Sequence, residues 1–318
     1  MMTELRNAYD VVVVGGGAAG LNGALMLARA RRSVVVIDTG GPRNAPAHAI
    51  HGLLGREGMA PAELLERGRA EVRGYGGEVV SGAVVAVARD EDESFTVTLA
   101  DGRATRARRL LVATGLVDDL PEIPGLHERW GRDVLHCPYC HGWEARDRSI
   151  GIIGASPMAV HGALLWRQWS DDIVYFPHHL DAPTGEQAEQ LAARGIRVVT
   201  GEVAAVETDA DRLTGVRMGD GAIVAREVLA VPSRMVARAE ALAPLGLKAV
   251  EHPSGAGEHV PADPMGRTEV PGIWVAGNVT DLSAQVGGAA AAGAVAGAQI
   301  NFDLVAEDTR RAVTADRS

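Results

Sequence analysis

The sequence has few cysteines, few aromatic residues and no excess of positive charge. Its 318 residues include only two cysteines, Cys137 and Cys140, whereas secreted proteins held by disulfides spread cysteines through the chain. Aromatic residues make up 4% of the chain, and its 39 glycines suit α/β packing with many tight turns. The net charge of −10 offers no basic field for phosphates, which argues against nucleic-acid and anionic-membrane partners.

Long apolar segments are also missing. Met1–Asp10 is polar and leads directly into a strand, unlike a secretory signal peptide. The alanine- and glycine-rich run Gly287–Ile300 is shorter and less apolar than the roughly 20 residues that a transmembrane helix requires. We therefore expect no membrane segment and a cytoplasmic location, and the chain length favours two domains.

The N-terminal region has the pattern of a strand, a glycine turn, a helix and a second strand. Asp10–Val14 is an uninterrupted apolar run, typical of a strand that is covered on both faces of a parallel sheet. Gly15–Gly20 follows, then a helical stretch over Leu21–Arg31 and a strand over Ser33–Ile37 that ends at Asp38. This order predicts a complete βαβ unit.

The glycine spacing of the turn indicates a dinucleotide site. Gly15 permits a tight turn, Gly17 lets the backbone approach a pyrophosphate, and Gly20 lets the helix pack closely on the strand. The start of the helix supplies N–H groups to the phosphates, and Asp38 would accept hydrogen bonds from a ribose. A purely structural glycine turn remains the alternative.

The rest of the chain repeats this plan. The predicted segments are an antiparallel region over Glu78–Arg103, a buried strand over Leu110–Gly115, a linker over Val117–Pro124, a second strand, turn and helix over Ser149–Ile153, Gly154–Ala159 and Val160–Trp169, a linker-like patch over Leu247–Gly257, a strand over Gly272–Ala276 and a last helix over about Gln285–Asn301. The fold class is therefore predicted to be α/β, with one dinucleotide-binding domain inserted into another.

The segment His136–Glu144 holds the cysteine pair, Cys137-Pro138-Tyr139-Cys140. A C-x-x-C loop that leads into a helix favours a thiolate at the first cysteine and a readily exchanged disulfide. A zinc site would need His136 and His141 as further ligands, but adjacent Cys-His pairs fit a tetrahedral centre poorly. Redox chemistry is the favoured interpretation, and zinc or an inert pair are the alternatives.

The order of the motifs resembles that of the low-molecular-weight thioredoxin reductases. The motifs that carry the resemblance are Gly15–Gly20, Ala113-Thr114-Gly115, Leu120–Gly125, Cys137-x-x-Cys140 and Gly277-Asn278. The resemblance implies two Rossmann-like domains of the three-layer ββα type and a homodimer. It assigns residues 1–117 and 249–318 to an FAD-binding domain, and residues 118–248 to an inserted NAD(P)H-binding-like domain with the cysteine pair.

The resemblance also assigns residues to the two reaction partners. Cys140 should face the flavin, Cys137 should exchange with substrate, and His141 stands where these reductases usually carry an acid. Asn278 likewise replaces an aspartate of many relatives. The expected flavin residues are Gly15, Gly17, Ala18, Ala19, Gly20, Asp38, Arg43, Asn44, Thr114, Gly115, Gly277, Asn278, Gln285 and Val286.

The form Cys-Pro-Tyr-Cys-His-Gly is similar to a branch of this family, the FAD-dependent dithiol oxidases of gliotoxin- and holomycin-type natural products. The pairs Arg43-Asn44 and His51-Gly52 resemble the same branch. A neutral-range imidazole at His141 could move protons during catalysis. His48 and His51 either reach the active site or belong to a surface loop.

The second dinucleotide turn departs from the family pattern. Ser156 replaces the central glycine, and Tyr175–His179 offers no arginine for a 2′-phosphate, although Arg167 and Arg234 are possible substitutes. NADPH use therefore stays open. The expected function is a dithiol oxidase with O2 as acceptor. The alternatives are an NADPH- or electron-carrier-dependent reductase of a thioredoxin-like protein, and a flavin redox sensor with little turnover.

Overall fold

The computed structural model describes residues 5–156 and 158–317. The chain forms two compact units, the first from residues up to 45, 60–117 and 236 onward, and the second from residues 46–59 and 118–235. These boundaries differ from the predicted ones in two segments, because residues 46–59 belong to the second unit and residues 236–248 to the first.

Packing explains both differences. Ala237, Ala239 and Leu242 are buried in the core of the first unit, so the segment that contains them folds with that unit. A Cβ on Gly131 of the second unit would lie 2.6 Å from the Cβ of Pro46, so the segment 46–59 lies directly against the second unit.

The helices and strands are numbered in chain order. The α-helices are α1 (Ala18–Arg29), α2 (Pro61–Gly74), α3 (Pro138–His141), α4 (Ala159–Trp166), α5 (Gly185–Ala193) and α6 (Val286–Asp316), with 3₁₀ turns at His127–Arg129, Glu240–Leu245 and Gly277–Val279. The strands are β1 (Ala8–Val14), β2 (Val34–Asp38), β3 (Glu78–Ser81), β4 (Val84–Arg89), β5 (Phe95–Leu99), β6 (Ala104–Val112), β7 (Leu116–Asp119), β8 (Val134–Leu135), β9 (Ile150–Ile153), β10 (Ile173–Phe176), β11 (Arg197–Val198), β12 (Val203–Asp209), β13 (Arg212–Met218), β14 (Ile223–Ala225), β15 (Val228–Ala230), β16 (Arg234–Ala237), β17 (Val250–Glu251), β18 (Glu258–His259) and β19 (Ile273–Val275).

The first unit is built on one sheet with the order β3-β2-β1-β6-β5-β4, and β19 pairs with β6. Strand β1 is parallel to β2 and β6, and β19 is parallel to β6, whereas β4, β5 and β6 are antiparallel. The prediction of an antiparallel region over Glu78–Arg103 is wrong for β3, which pairs in parallel with β2. The cause is the crossover helix α2, which returns the chain to the same end of the sheet.

Strands β1 and β2 are apolar on both faces because both faces of the sheet are covered. Val12 and Val14 belong to one buried cluster of the first unit, and Val11 and Val13 belong to the other. The predicted doubly covered strand is therefore confirmed. It holds the glycine turn that follows it in a fixed position.

Helix α6 is much longer than predicted, since it runs 31 residues to Asp316 instead of ending near Asn301. An 18-residue window of α6 has a mean hydropathy of 1.3, so the helix is long and apolar enough to cross a membrane, whereas the run Gly287–Ile300 alone was predicted to be too short. Core helices meet the same criteria. In the first unit, Arg108 and Arg109 of β6 form ion pairs with Asp303, Glu307 and Asp308 of α6, so this half of the helix is fixed to the sheet.

The second unit contains a parallel sheet with the order β11-β10-β9-β15-β8 and an antiparallel sheet of β12, β13 and β14. Strand β9, the following turn and helix α4 confirm the predicted second strand–turn–helix unit. The fold class is thus confirmed as α/β with two Rossmann-type sheets.

Candidate active site

The glycine turn of the first unit leaves backbone atoms accessible because no side chain covers them. Gly15 has a φ of +102°, and a Cβ there would lie 2.4 Å from the carbonyl oxygen of Ala113. A Cβ on Gly20 would lie 1.9 Å from the carbonyl oxygen of Gly15, whereas a Cβ on Gly17 would meet no described atom within 4 Å. The fold itself requires Gly15 and Gly20, and Gly17 provides the open surface that a pyrophosphate needs.

The start of helix α1 has the properties of an anion site. Gly17 is its N-cap and Ala18 its first residue; among the described residues no side chain caps its first amides, and no acid lies in its first turn. The N–H groups at this end are therefore available to a negatively charged ligand. Together with the open side of Gly17, they fit the pyrophosphate of FAD.

Asp38, at the end of β2, is engaged with the turn itself. Its Oδ1 accepts a hydrogen bond from the Gly16 amide at 3.0 Å, and its Oδ2 lies 3.4 Å from an Arg69 guanidinium nitrogen. A carboxylate has lone pairs beyond these two interactions, so it can still accept hydrogen bonds from a ribose. The predicted pair Arg43-Asn44 lies in the turn that follows β2.

The structure brings the predicted strand ends together around this turn. Ala113 lies against Gly15, and a Cβ on Gly277 would lie 2.9 Å from the Cβ of Ala19. The Thr114 hydroxyl donates a hydrogen bond to the Arg238 carbonyl at 2.6 Å, and the Arg238 amide donates to the Gly115 carbonyl at 3.1 Å. Thr114 therefore holds the strand end in place, and its contact with the flavin stays a prediction.

The side chain of Asn278 stabilises the loop that leads into α6. Its Nδ2 donates hydrogen bonds to the carbonyl oxygens of Asp281 at 3.0 Å and Ala284 at 2.9 Å. Only the side-chain oxygen is left for the predicted contact with the flavin. Gln285 is the N-cap of α6 and Val286 its first residue; no described side chain caps this end, and no acid lies in its first turn. This end is open to the flavin in the same way as that of α1.

The cysteine pair lies in the second unit, between β8 and helix α3. Cys137 is the N-cap of α3, Pro138 is its first residue, and both cysteines are partly exposed. The Cys140 amide donates to the Cys137 carbonyl at 3.2 Å, which closes a tight turn around the pair. A Cβ on Gly142 would lie 2.7 Å from the Trp169 ring, so this glycine lets the indole pack directly against the turn.

His141 follows the second cysteine and is set up as a neutral imidazole. Both of its ring nitrogens are buried, and neither makes a hydrogen bond of acceptable geometry within the described residues. Burial lowers its pKa below the ordinary value, the nearby Glu144 carboxylate opposes that effect, and the charge of His51 adds to it. An uncharged imidazole beside a cysteine pair can accept a proton.

The zinc alternative has no support in the geometry. Within residues 5–156 and 158–317, no group of three or more His, Cys, Asp or Glu side chains gathers closely enough to hold a metal ion. The Nδ1 of His136 instead lies 3.3 Å from the Val231 carbonyl oxygen. The four-ligand arrangement considered for zinc is therefore not formed.

The second glycine turn follows β9 at Gly154. A Cβ on Gly154 would lie 2.5 Å from the Pro177 carbonyl oxygen, so this glycine is required by the fold. After β10, the Nδ1 of His178 accepts a hydrogen bond from the Val203 amide at 3.0 Å, and burial lowers the pKa of His178. Protonation at Nδ1 would break that bond, so the hydrogen bond and the burial both favour the neutral ring of His178.

Arg167, one proposed substitute for a phosphate-binding arginine, is engaged elsewhere. Its guanidinium donates to the Arg194 carbonyl at 2.9 Å and forms an ion pair with Asp171. It is therefore not available to a 2′-phosphate at the glycine turn.

Two features of the site were not predicted from the sequence. One is Arg238, whose backbone holds Thr114 and Gly115. The other is a close crossing of α1 and α6, where a Cβ on Gly293 would lie 1.9 Å from the Ala19 carbonyl oxygen. The spacing Gly293-x-x-x-Gly297 was the available sign of the second feature.

Comparison with known proteins identifies the family. The family model for pyridine nucleotide-disulphide oxidoreductases matches residues 9–298. Thioredoxin reductase tcpT of Claviceps purpurea is 30% identical over 311 residues, which cover 95% of this chain and 96% of that protein.

Two solved structures extend the comparison. The crystal structure of HlmI is 48% identical with a TM-score of 0.92 and covers 99% of this chain and 98% of its own. An oxidoreductase from Agrobacterium tumefaciens is 36% identical with a TM-score of 0.88, over 94% of this chain and 99% of its own. The resemblance to FAD-containing, thioredoxin reductase-like enzymes is confirmed, and the chain belongs to the pyridine nucleotide-disulphide oxidoreductase family.

Proposed function

We propose that the protein is an FAD-dependent dithiol oxidase that converts a small dithiol into a disulfide through Cys137 and Cys140, with O2 as the final acceptor. The observation that carries the proposal is the second glycine turn, where Ser156 replaces a glycine and the neutral ring of His178 is favoured. A reductase needs a cationic partner for the 2′-phosphate of NADPH at this place.

The cysteine pair exchanges two electrons with the substrate. One substrate sulfur attacks Cys137 of the oxidised pair, the bond between the cysteines breaks, and Cys140 leaves as a thiolate. The second substrate sulfur then attacks the first, so the substrate leaves as a disulfide and both cysteines are reduced. Bound FAD supplies the two-electron exchange with O2. The sum is dithiol plus O2 giving disulfide plus hydrogen peroxide.

His141 handles the protons of this exchange. A thiol must lose its proton to become the attacking thiolate, and a buried neutral imidazole next to Cys140 can accept it. Burial lowers the pKa of His141 and so favours the neutral ring, which is the form that can act as a base.

Aromatic side chains around the pair favour a small, partly apolar substrate. Tyr139 and Trp143 are large and 63% and 66% exposed, and the Arg146 guanidinium lies 4.2 Å from the centre of the Trp143 ring. The Tyr139 ring meets the edge of Trp169 at 5.7 Å between centres. Exposed aromatic groups of this kind are typical of binding surfaces.

The alternative is an NADPH-dependent disulfide reductase, which the retained Gly154 and the five-stranded parallel sheet favour. We expect the purified flavoprotein to consume oxygen with dithiothreitol under air, and NADPH under argon not to bleach its flavin. Bleaching by NADPH without dithiol-driven oxygen uptake would overturn the proposal in favour of the reductase. If the protein shows neither dithiol-driven oxygen uptake nor bleaching by NADPH, the redox sensor is favoured.

Two variants test the roles of the cysteines. Cys140→Ser should abolish the long-wavelength band between thiolate and flavin, and Cys137→Ser should strengthen it, while both lose dithiol turnover. Glu122→Gln, at an exposed position of the second unit, is the control and should behave as the wild type. Normal turnover of both cysteine variants would contradict the assignment.

We also propose, from the resemblance, that the protein is a homodimer, and we keep the expected cytoplasmic location as a proposal. Val295, Phe302 and Val305 form an exposed apolar stripe on α6 that a second copy could cover. Light scattering on the purified protein measures the mass, and a monomer at micromolar concentration would contradict the dimer.

A further inference from the structure

The carboxylate of Asp38 is held by two residues that were not predicted from the sequence. The first is Gly16, which stands at a variable position of the pattern Gly15-x-Gly17-x-x-Gly20. Its φ is not in the left-handed region, but a Cβ there would lie 2.8 Å from the Cβ, the Cγ and the Oδ2 of Asp38. Position 16 therefore needs a glycine because the Asp38 side chain lies directly against it.

Hydrogen bonds fix Asp38 at both its side chain and its backbone. The Gly16 amide donates to the Asp38 Oδ1 at 3.0 Å, and the Gly82 amide donates to the Asp38 carbonyl oxygen at 3.0 Å. The Asp38 side chain is only 17% exposed. The carboxylate at the end of β2 is therefore a largely buried group whose backbone cannot shift without loss of a hydrogen bond.

The second residue is Arg69, on helix α2. Its Nη2 lies 3.4 Å from the Asp38 Oδ2, and its side chain is 21% exposed. Its Nη1 lies 3.4 Å from Glu66, but the Glu66 side chain is largely exposed. Helix α2 is fixed to the first unit by buried Leu65 and Val72. Because Arg69 and Asp38 are both largely shielded from water, solvent screens their attraction less than that of a surface ion pair.

We propose that Gly16 and Arg69 are positioning residues that orient the Asp38 carboxylate for the adenosine ribose of FAD. Gly16 binds one carboxylate oxygen and Arg69 the other, and each oxygen keeps a further lone pair that can accept a hydrogen bond from a ribose hydroxyl. Since the carboxylate cannot turn freely between these two partners, it loses little freedom when the cofactor binds. An oxidase and a reductase need this ribose contact alike.

The test compares how tightly the full chain, after removal of its flavin, binds FAD and an FAD analogue that carries 2′-deoxyadenosine. The change in flavin fluorescence on binding gives both dissociation constants. The wild type should bind FAD about tenfold more tightly than the analogue, because the analogue has no 2′-hydroxyl to donate to Asp38. Asp38→Ala should bind the two ligands equally, and the further change Arg69→Met should leave that ratio as it is.

In the presence of Asp38, Arg69→Met and Gly16→Ala should each reduce the ratio of the two dissociation constants to about threefold. The first change frees the carboxylate to rotate, and the second displaces it. Arg69→Lys keeps a cation on α2 and should retain a higher ratio than Arg69→Met. Arg67→Gln is the matched control and should keep the wild-type ratio, because it removes a charge from the same helix whose partner is Glu63, at 2.6 Å.

Three results would overturn this assignment: equal binding of FAD and the analogue by the wild type, a wild-type ratio in Arg69→Met, or an Arg69→Met variant that binds both ligands more weakly by the same factor. If Gly16→Ala does not fold, Arg69→Met decides, because buried Leu65 and Val72 hold α2 in place. These affinities do not depend on turnover. A protein that shows the expected ratios but does not oxidise dithiols would contradict the proposed function alone.

Discussion

At the residue scale, Asn278 shows why an amide stands where many thioredoxin reductases carry an acid. Its Nδ2 donates to two backbone carbonyls, those of Asp281 and Ala284, and so shapes the loop that leads into α6. A carboxylate cannot donate, and it would face two carbonyl oxygens. The amide is therefore required by this loop, independently of its predicted contact with the flavin.

We expect Asn278→Asp to weaken flavin retention about tenfold, because two hydrogen bonds are lost and two acceptors are left opposed. The measurement is the dissociation constant of FAD after the flavin has been removed and added back. Asn301→Asp is the matched control, because the Asn301 oxygen accepts a hydrogen bond from Arg32 at 2.8 Å and a carboxylate preserves that bond. Equal retention in both variants would contradict this account.

Single residues also mark the limit of what the sequence predicts. The spacing of Gly15, Gly17 and Gly20 was sufficient, because a tight turn and a close helix are local demands. The flavin contact of Thr114 stays a prediction, but the sequence did not predict that its hydroxyl donates a hydrogen bond to the carbonyl of Arg238, which lies 124 residues later. The link between His51 and Glu144 is likewise formed only by the folded chain. Contacts of this kind leave no mark in local spacing.

At the scale of elements, the contact between α1 and α6 depends on glycines. A Cβ on Gly23 would lie 2.9 Å from the Gly293 carbonyl oxygen, and one on Gly297 would lie 2.7 Å from the Gly23 carbonyl oxygen. Backbones that approach so closely leave no room for a methyl group. Since α1 carries the glycine turn and α6 begins at Gln285, this contact fixes the spacing of two helix ends that are predicted to meet the flavin.

We expect Gly293→Ala to destabilise the flavin-loaded protein by about 2 kcal/mol, because its Cβ would lie 1.9 Å from the backbone oxygen of Ala19. Gly288→Ala is the matched control in the same helix, since its Cβ would meet only the Ala284 Cβ at 4.0 Å. That change should stabilise by about 0.5–1 kcal/mol through helix propensity. Denaturant unfolding measures both, and similar effects of the two substitutions would contradict a close crossing.

Strands β1 and β2 and helix α6 show which elements could be predicted from the sequence pattern. Strands β1 and β2 were predicted closely because a doubly covered strand is apolar throughout. The end of α6 was missed by fifteen residues, from Asn301 to Asp316, because its second half carries charges that resemble a solvated tail. In the fold those charges pair with arginines of β6, and this pairing has no local signature.

At the scale of the whole molecule, the predicted flavin-binding residues lie in one unit and the cysteine pair lies in the other. Whether the second glycine turn must bind a nucleotide depends on which molecule supplies the electrons. If a dithiol delivers the electrons directly to the cysteines, the second glycine turn does not need to bind a nucleotide. NADPH would have to bind there, and the net charge of −10 does not help to attract a cofactor that carries phosphates. Under the proposed oxidase function, Ser156 and His178 are explained because the second turn need not bind NADPH.

We therefore expect that NADPH use can be restored without altering the cysteines. Ser156→Gly removes a side chain from the turn, and His179→Arg places a permanent cation at an exposed position after β10 while leaving the bond from Val203 to His178 intact. The flavin of the double variant should be bleached by NADPH under argon at least about tenfold faster than that of the wild type, the ratio for one new interaction of about 1.4 kcal/mol.

His161→Arg is the control, because it adds the same charge on α4 and should not increase the rate of bleaching. An equal increase in this variant would show that the effect comes from net charge. Dithiol turnover under air shows whether the double variant is folded. If it is folded but NADPH bleaches its flavin no faster than in the wild type, the obstacle to NADPH lies outside this turn.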